Sequence, residues 1–182
     1  MLIKESIKNI TQLIGDPTRN VPAGGPIIAS TALLGVSLLK LSYNISQNEW
    51  SPNKKERLQQ YQEKLNELEK ELFVKMEADL TAYQKNLDNQ GNNSQQLKSI
   101  IAIPLAIAKI STELLQITAQ LKEEFHKKVE ADLKIAILNL KASLKGALSI
   151  IKANSQLLPP TDSYLKQLKS EIAELKEKLQ QL

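Results

Sequence analysis

The chain has 182 residues, 42% of them hydrophobic and 24% charged, a net charge of +4 and no cysteine. That balance suits one soluble domain with a real core and excludes disulfides, thiolate nucleophiles and cysteine-based zinc sites. The single histidine, His126, excludes a multi-histidine metal centre within a subunit, and the scattered charge offers no basic, aromatic-interleaved patch for nucleic acid.

Aromatic residues are only 4% of the chain, so the core falls to Leu, Ile and Ala, a palette of close-packed helices rather than sheets. The first predicted helix runs from about Leu2 to Ile14 and stops at Gly15-Asp16-Pro17, a C-cap followed by a breaker. It is amphipathic and mixes acid with base, unlike a signal peptide. A loop follows from Asp16 to Pro26, with Pro-Ala-Gly-Gly-Pro at its core.

The second helix opens at Pro26 and reaches about Ser46. Ala29, Ser30, Ala32, Gly35 and Ser37 let another backbone come close, so the helix belongs at the centre of a bundle. Ile27 to Ile45 is the one stretch apolar enough to suggest a membrane span. It carries Lys40 and several hydroxyl residues and barely meets the ~20-residue requirement, so a buried helix is the better reading.

Ser51-Pro52 supplies an N-cap and a proline at the first helical position for a long charged helix to about Leu87. Its stripe of Leu58, Tyr61, Leu65, Leu68, Leu72, Met76, Leu80 and Tyr83 recurs in steps of three and four. Gly and Asn residues break the pattern before a fourth helix, about Leu97 to Phe125, with Pro104 expected in its first turns or at a kink. A fifth spans about Lys127 to Leu157, either separate from the fourth or continuous with it. After Pro159-Pro160, Thr161 or Asp162 caps a last helix whose Leu165, Leu168, Ile172, Leu175 and Leu179 resemble a short coiled-coil seam. No strand signal competes. The expectation is an all-α antiparallel bundle of five to six helices over residues 1–158, with a coiled-coil-like amphipathic helix over 159–182. The small-residue second helix and the heptad-like tail predict a homo-oligomer, a dimer favoured.

Four places could carry chemistry. Gly24 and Gly25 lead into a helix amino terminus, where free N–H groups favour an anion, although a plain redirecting turn accounts for them as well. On the fifth helix, Asp132, Ser143 and Asn154 interrupt a face otherwise made of Phe125, Val129, Ala136, Leu140, Ala147 and Ile150. A carboxylate there needs a partner or a site. Asp132 and Asn154 lie 22 residues apart, about 33 Å of helix, so they cannot serve one site within a subunit. His126 is either a general base or a surface or capping histidine. Asp79 and Tyr83 sit one turn apart beside the apolar stripe, with Asp79 also readable as an edge carboxylate.

These pieces together resemble the cyclodeaminase domain of formiminotransferase-cyclodeaminase and its stand-alone bacterial relatives, including methenyltetrahydrofolate cyclohydrolases. The residues that carry the likeness are Pro22-Ala23-Gly24-Gly25-Pro26 with the small residues after it, Asn44, Asp79-x-x-Ala82-Tyr83, Pro104-x-x-Ile107-Ala108, Asp132-x-x-x-Ala136, and Gly146-Ala147 with Asn154. They extend over roughly Met1 to Leu158. The chain departs from the family pattern at Ala23 and Pro26 in the loop, at Phe125-His126-Lys127-Lys128 before Asp132, and at Ile150, where the family has Asn.

The resemblance implies a cytoplasmic folate enzyme. It would close 5-formiminotetrahydrofolate with loss of ammonia, or interconvert methenyl- and 10-formyltetrahydrofolate. It implies Asp132 or Asp79 as the carboxylate, with Gly24, Gly25, Asn44 and Asn154 holding the tetrahydrofolate derivative and Lys54, Lys55 or Arg57 meeting its glutamate tail; His126, as the sole imidazole, is the further candidate base. It requires no metal or redox cofactor, and no nucleic acid or membrane partner. The alternative is a non-catalytic scaffold or regulatory bundle derived from the same family.

Overall fold

The structure is a computed structural model and describes residues 24–88 and 94–181, together with 8, 9, 11, 12, 14 and 15. Lys8, Asn9, Thr11, Gln12, Ile14 and Gly15 are helical and exposed. The rest of the expected amino-terminal helix, and Pro22 and Ala23 of the loop, lie outside the described residues.

Five long helices carry the fold: α1 (Gly24–Ser46), α2 (Pro52–Asp88), α3 (Ser94–Leu121), α4 (Glu130–Ser155) and α5 (Tyr164–Gln181). No strand occurs among the described residues. The helix ends have local causes. Ser51 Oγ accepts the Lys54 N–H at 3.4 Å ahead of Pro52 at the first helical position. After α3 the chain extends at Phe125 and His126, and the His126 Nδ1 accepts the Lys128 N–H at 3.0 Å, capping a short 3-10 turn that leads into α4. The fourth and fifth predicted helices are therefore separate. Asp162 Oδ1 accepts the Tyr164 N–H at 2.9 Å and starts α5. Pro104 stands well inside α3 rather than in its first turns.

α1 lies between α2 and α4 and runs antiparallel to both. Asn44, Lys40 and Ser30 of α1 meet Gln62, Glu69 and Met76 of α2 in that order. Towards α4, a Cβ on Gly35 would lie 2.9 Å from Leu140 Cγ and 3.2 Å from the Ala136 carbonyl. Only glycine permits that approach. Ser143 then ties three helices together. Its hydroxyl donates to the Ile28 carbonyl at 2.8 Å, which leaves the Ser111 hydroxyl to donate to Ser143 Oγ across 3.1 Å. Around these contacts Leu58, Leu65, Leu72, Leu114, Leu140 and Leu144 are fully buried. Truncating any one to alanine would cost about 2–5 kcal/mol.

The α5 seam is consumed within the chain. Leu168 and Leu175 are buried and Leu165, Ile172 and Leu179 pack on the same core. Lys109 pairs with Glu171 across the α3–α5 groove, and Lys98 with Asp162 at 3.0 Å. The segments Gly24–Glu49 and Ser94–Glu124 are both long and apolar enough to cross a membrane by length and composition. The second is mostly covered by the bundle, whereas α1 is central on one side only and leaves Ile27, Leu34, Leu41 and Ile45 exposed.

Candidate functional site

Asp79 continues the core stripe of α2, seven residues beyond the fully buried Leu72, so the helix carries its carboxylate inward. There it meets the start of α1 at a position with no side chain. A Cβ on Gly25 would overlap the Asp79 carboxylate. Asp79 is 8% exposed, and no hydrogen bond or ion pair joins it to any described residue. Burial pushes its carboxyl up to about 6 from the ordinary 3.8. A carboxyl poised there changes hands with a proton near neutral pH, which an ordinary surface aspartate does not.

The carboxylate opens into a cavity of about 230 Å³ lined by Gly24, Gly25, Asp79, Ile100, Ile150, Ala153 and Asn154. Besides α2, which carries Asp79, three helices build it. The amino end of α1 supplies glycines and a first turn whose N–H groups have no helical acceptor, one of them removed by Pro26. α3 supplies Ile100. The last turns of α4 supply Ile150, whose Cδ1 would stand 3.0 Å from a Cβ on Gly24, and Asn154, whose Nδ2 donates to the Ile100 carbonyl at 2.9 Å. The cavity thus pairs apolar walls with a carboxyl group and an amide, a donor set suited to a small polar organic ligand rather than to a metal.

Of the residues singled out from sequence, the structure brings together Gly24, Gly25, Asp79 and Asn154. Asn44, Lys54, Lys55, Arg57, His126 and Asp132 stand at the opposite end of the bundle, about 30 Å away along α1. Asn44 is exposed and its Oδ1 accepts from Gln47 and Gln62, each at 3.2 Å. Lys54 and Arg57 both grip Glu124, at 2.7 and 2.8 Å, and together hold its carboxyl below the usual range. Lys55 is exposed. His126 caps the turn into α4 and its Nε2 lies 3.2 Å from Glu49. Asp132 is half-buried in the first turn of α4, where the helix dipole favours a carboxylate, and makes no hydrogen bond or ion pair with a described residue. Within one chain it does not share the cavity. Tyr83 belongs to α2, but its side chain lies outside what is described. Ile100 and Ala153 were not legible beforehand as lining residues; the only signals are that Ile100 stands four residues before a proline and Ala153 next to Asn154.

The described residues form an all-helical bundle in which a nearly buried carboxyl group, without a partner among them, faces a glycine-opened helix end across a small cavity. The chain belongs to the formiminotransferase-cyclodeaminase family, whose match spans residues 6–174. That match runs past Pro159 into α5. The fold is similar to the crystal structure of formiminotetrahydrofolate cyclodeaminase from Thermotoga maritima at 2.80 Å resolution, with a TM-score of 0.87 and 15% sequence identity, covering 99% of this chain and 92% of that one. No curated protein matches the chain.

Proposed function

We propose that the chain is a cytoplasmic folate one-carbon enzyme acting as a formiminotetrahydrofolate cyclodeaminase, with the Asp79 cavity as its active site and a tetrahydrofolate derivative as its substrate. The observation that carries this reading is the Asp79 carboxyl, nearly buried, without a partner among the described residues and raised to about 6, in a cavity opened by Gly24 and Gly25. About 230 Å³ suits the reacting one-carbon unit and part of the bicyclic ring, with the remainder of the molecule outside.

The reaction needs one proton moved between two nitrogens. N10 attacks the formimino carbon of the N5–CH=NH₂⁺ group and gives up its hydrogen to the Asp79 carboxylate. The tetrahedral carbon then bears N5, N10 and an amino group. Asp79 returns the proton to that amino group, the C–N bond breaks, ammonia leaves, and the delocalised N5–C–N10 cation remains beside the carboxylate that offsets its charge. A carboxyl near 6 can both take and return the proton at neutral pH. Asn154 favours deamination over hydrolysis of the methenyl group: with one Nδ2 hydrogen donated to Ile100, Oδ1 is left as an acceptor, and the terminal nitrogen of a formimino group carries hydrogens to donate where a formyl oxygen carries none. The apolar residues left exposed on α1 and α4 support a homo-oligomer, a dimer being the simplest closed form.

The test is incubation of the purified protein with 5-formiminotetrahydrofolate, following ammonia release and the ultraviolet absorbance of the methenyl product against buffer alone. Ammonia release at the buffer rate, with no binding of any reduced folate at millimolar concentration, ends the enzyme reading and leaves the non-catalytic bundle. Turnover of methenyltetrahydrofolate without deamination moves the assignment to the cyclohydrolase reaction.

A further inference from the structure

Asn154 is held by a hydrogen bond that a regular α-helix would not offer. Within a helix each carbonyl accepts from the N–H four residues later. Pro104 has no N–H, so the Ile100 carbonyl loses that partner, and the pyrrolidine ring crowds the same carbonyl away from the helix axis. Asn154 Nδ2, on α4, donates to this oxygen at 2.9 Å. A carbonyl oxygen only accepts, so the orientation of the amide follows without ambiguity: the nitrogen faces Ile100 and Oδ1 remains as an acceptor. Ile100 and Asn154 line the cavity together with Asp79, and Pro104 is buried behind them.

We infer that Pro104 is a positioning residue for this site: by freeing the Ile100 carbonyl it sets the Asn154 amide so that Oδ1 accepts from an N–H of the bound one-carbon unit. A proline inside a helix weakens that helix taken alone. Here the defect supplies an anchor point for a side chain on the neighbouring helix. The positioning lies in the geometry of α3 and α4; the identity of the group that Oδ1 receives rests on the folate reading above. A ligand presenting an oxygen acceptor at that point would face Oδ1 lone pair to lone pair and be rejected, because the amide cannot turn over without giving up Ile100.

The experiment uses isotopically labelled full-length protein and Pro104→Ala, Asn154→Ala and the double variant. In the wild type a through-hydrogen-bond coupling between Asn154 Nδ2 and the Ile100 carbonyl carbon is expected, with one amide proton shifted downfield and slow to exchange. In Pro104→Ala the restored N–H competes for the carbonyl, and the Asn154 amide signals move to the values of a solvent-averaged side chain. With 5-formiminotetrahydrofolate, each single variant is expected to lose roughly ten- to a hundredfold in kcat/KM, and the double variant no more than Asn154→Ala alone. Absence of the coupling in the wild type overturns the proposal even if Pro104→Ala does not fold. Unchanged Asn154 signals in Pro104→Ala, or losses that multiply in the double variant, overturn it as well. Should the wild type neither bind nor turn over a reduced folate, the folate reading fails and the amide signals alone decide the positioning.

Discussion

No side chain can stand at position 25 while Asp79 keeps its place, because a Cβ on Gly25 would overlap the Asp79 carboxylate. Two stretches more than fifty residues apart thereby specify each other. The glycine that sequence alone assigns to a turn more readily than to an anion cradle has a third use, as the vacancy into which a buried acid fits.

Gly25→Ala follows directly. The added methyl forces the Asp79 carboxylate aside or drives α1 from α2, and overpacking of this kind costs about 1–3 kcal/mol. Turnover of 5-formiminotetrahydrofolate is expected to fall on the order of a hundredfold or more, since the proton carrier leaves its position. Kinetics on a variant shown to be folded by circular dichroism check this. Activity within threefold of the wild type would mean that the Asp79 position is not what the reaction depends on.

Asp79→Asn should separate stability from activity. The folded carboxyl titrates at about 6 and the unfolded one at 3.8, so the folded state holds the proton more tightly. Below about pH 4 both states are protonated and the carboxyl costs nothing. As pH rises through 6 the folded protein must ionise a buried group and stability falls, by on the order of 1–3 kcal/mol at pH 7.5. The Asn variant escapes that loss. It is expected to melt several degrees above the wild type at pH 7.5 and together with it at pH 4, with turnover abolished. Calorimetry at the two pH values checks the sign; an Asn variant that melts below the wild type at pH 7.5 would show the carboxylate to be a stabilising partner. In the wild type, kcat/KM should bend near pH 6.

Periodicity carried most of the architecture. The α2 stripe, the Ser51-Pro52 start and the Asp162 cap are local signals, and each appears where its residues stand. What periodicity could not supply was depth. Asp79 and Asp132 each lie near an apolar stripe, and nothing local says that one is 8% exposed against a glycine while the other stands half-buried in a first helical turn. The difference arises from α1 against α2, where Gly25 leaves room for the Asp79 carboxylate from far along the chain. The α5 seam shows the same limit. Leu165, Leu168, Ile172, Leu175 and Leu179 have the spacing of a coiled coil, yet spacing cannot distinguish a partner chain from the α3 groove that covers them.

Ser143→Ala tests how far the hydroxyl bridge holds α1, α3 and α4. The change strips the Ser111 hydroxyl of its acceptor in a buried place and removes the donor to the Ile28 carbonyl. A loss of about 1–3 kcal/mol is expected in urea titration, with the slope against denaturant unchanged. A variant as stable as the wild type would mean that water or repacking replaces the bridge at no cost.

Assembly is the remaining expectation, and of the two surfaces that the sequence offers for it, α1 keeps large apolar side chains exposed while the α5 seam is largely covered. Leu168 and Leu175 are buried within the chain, so α5 has little seam left to offer. The helices α1 and α4 pack side by side and leave Leu34 at 63%, Leu41 at 46%, Ile135 at 49% and Leu138 at 66% exposure. Four large aliphatic side chains on two adjoining helices are more than the isolated exposed leucine any monomer tolerates. Light scattering is expected to give a mass of at least twice 20.3 kDa at micromolar concentration. Leu34→Glu combined with Leu138→Glu should reduce it to the single-chain value without loss of helical signal, since neither residue contributes to the core. A wild type that scatters as a clean 20.3 kDa particle would sink the dimer, and a double variant that stays associated would move the interface to another face.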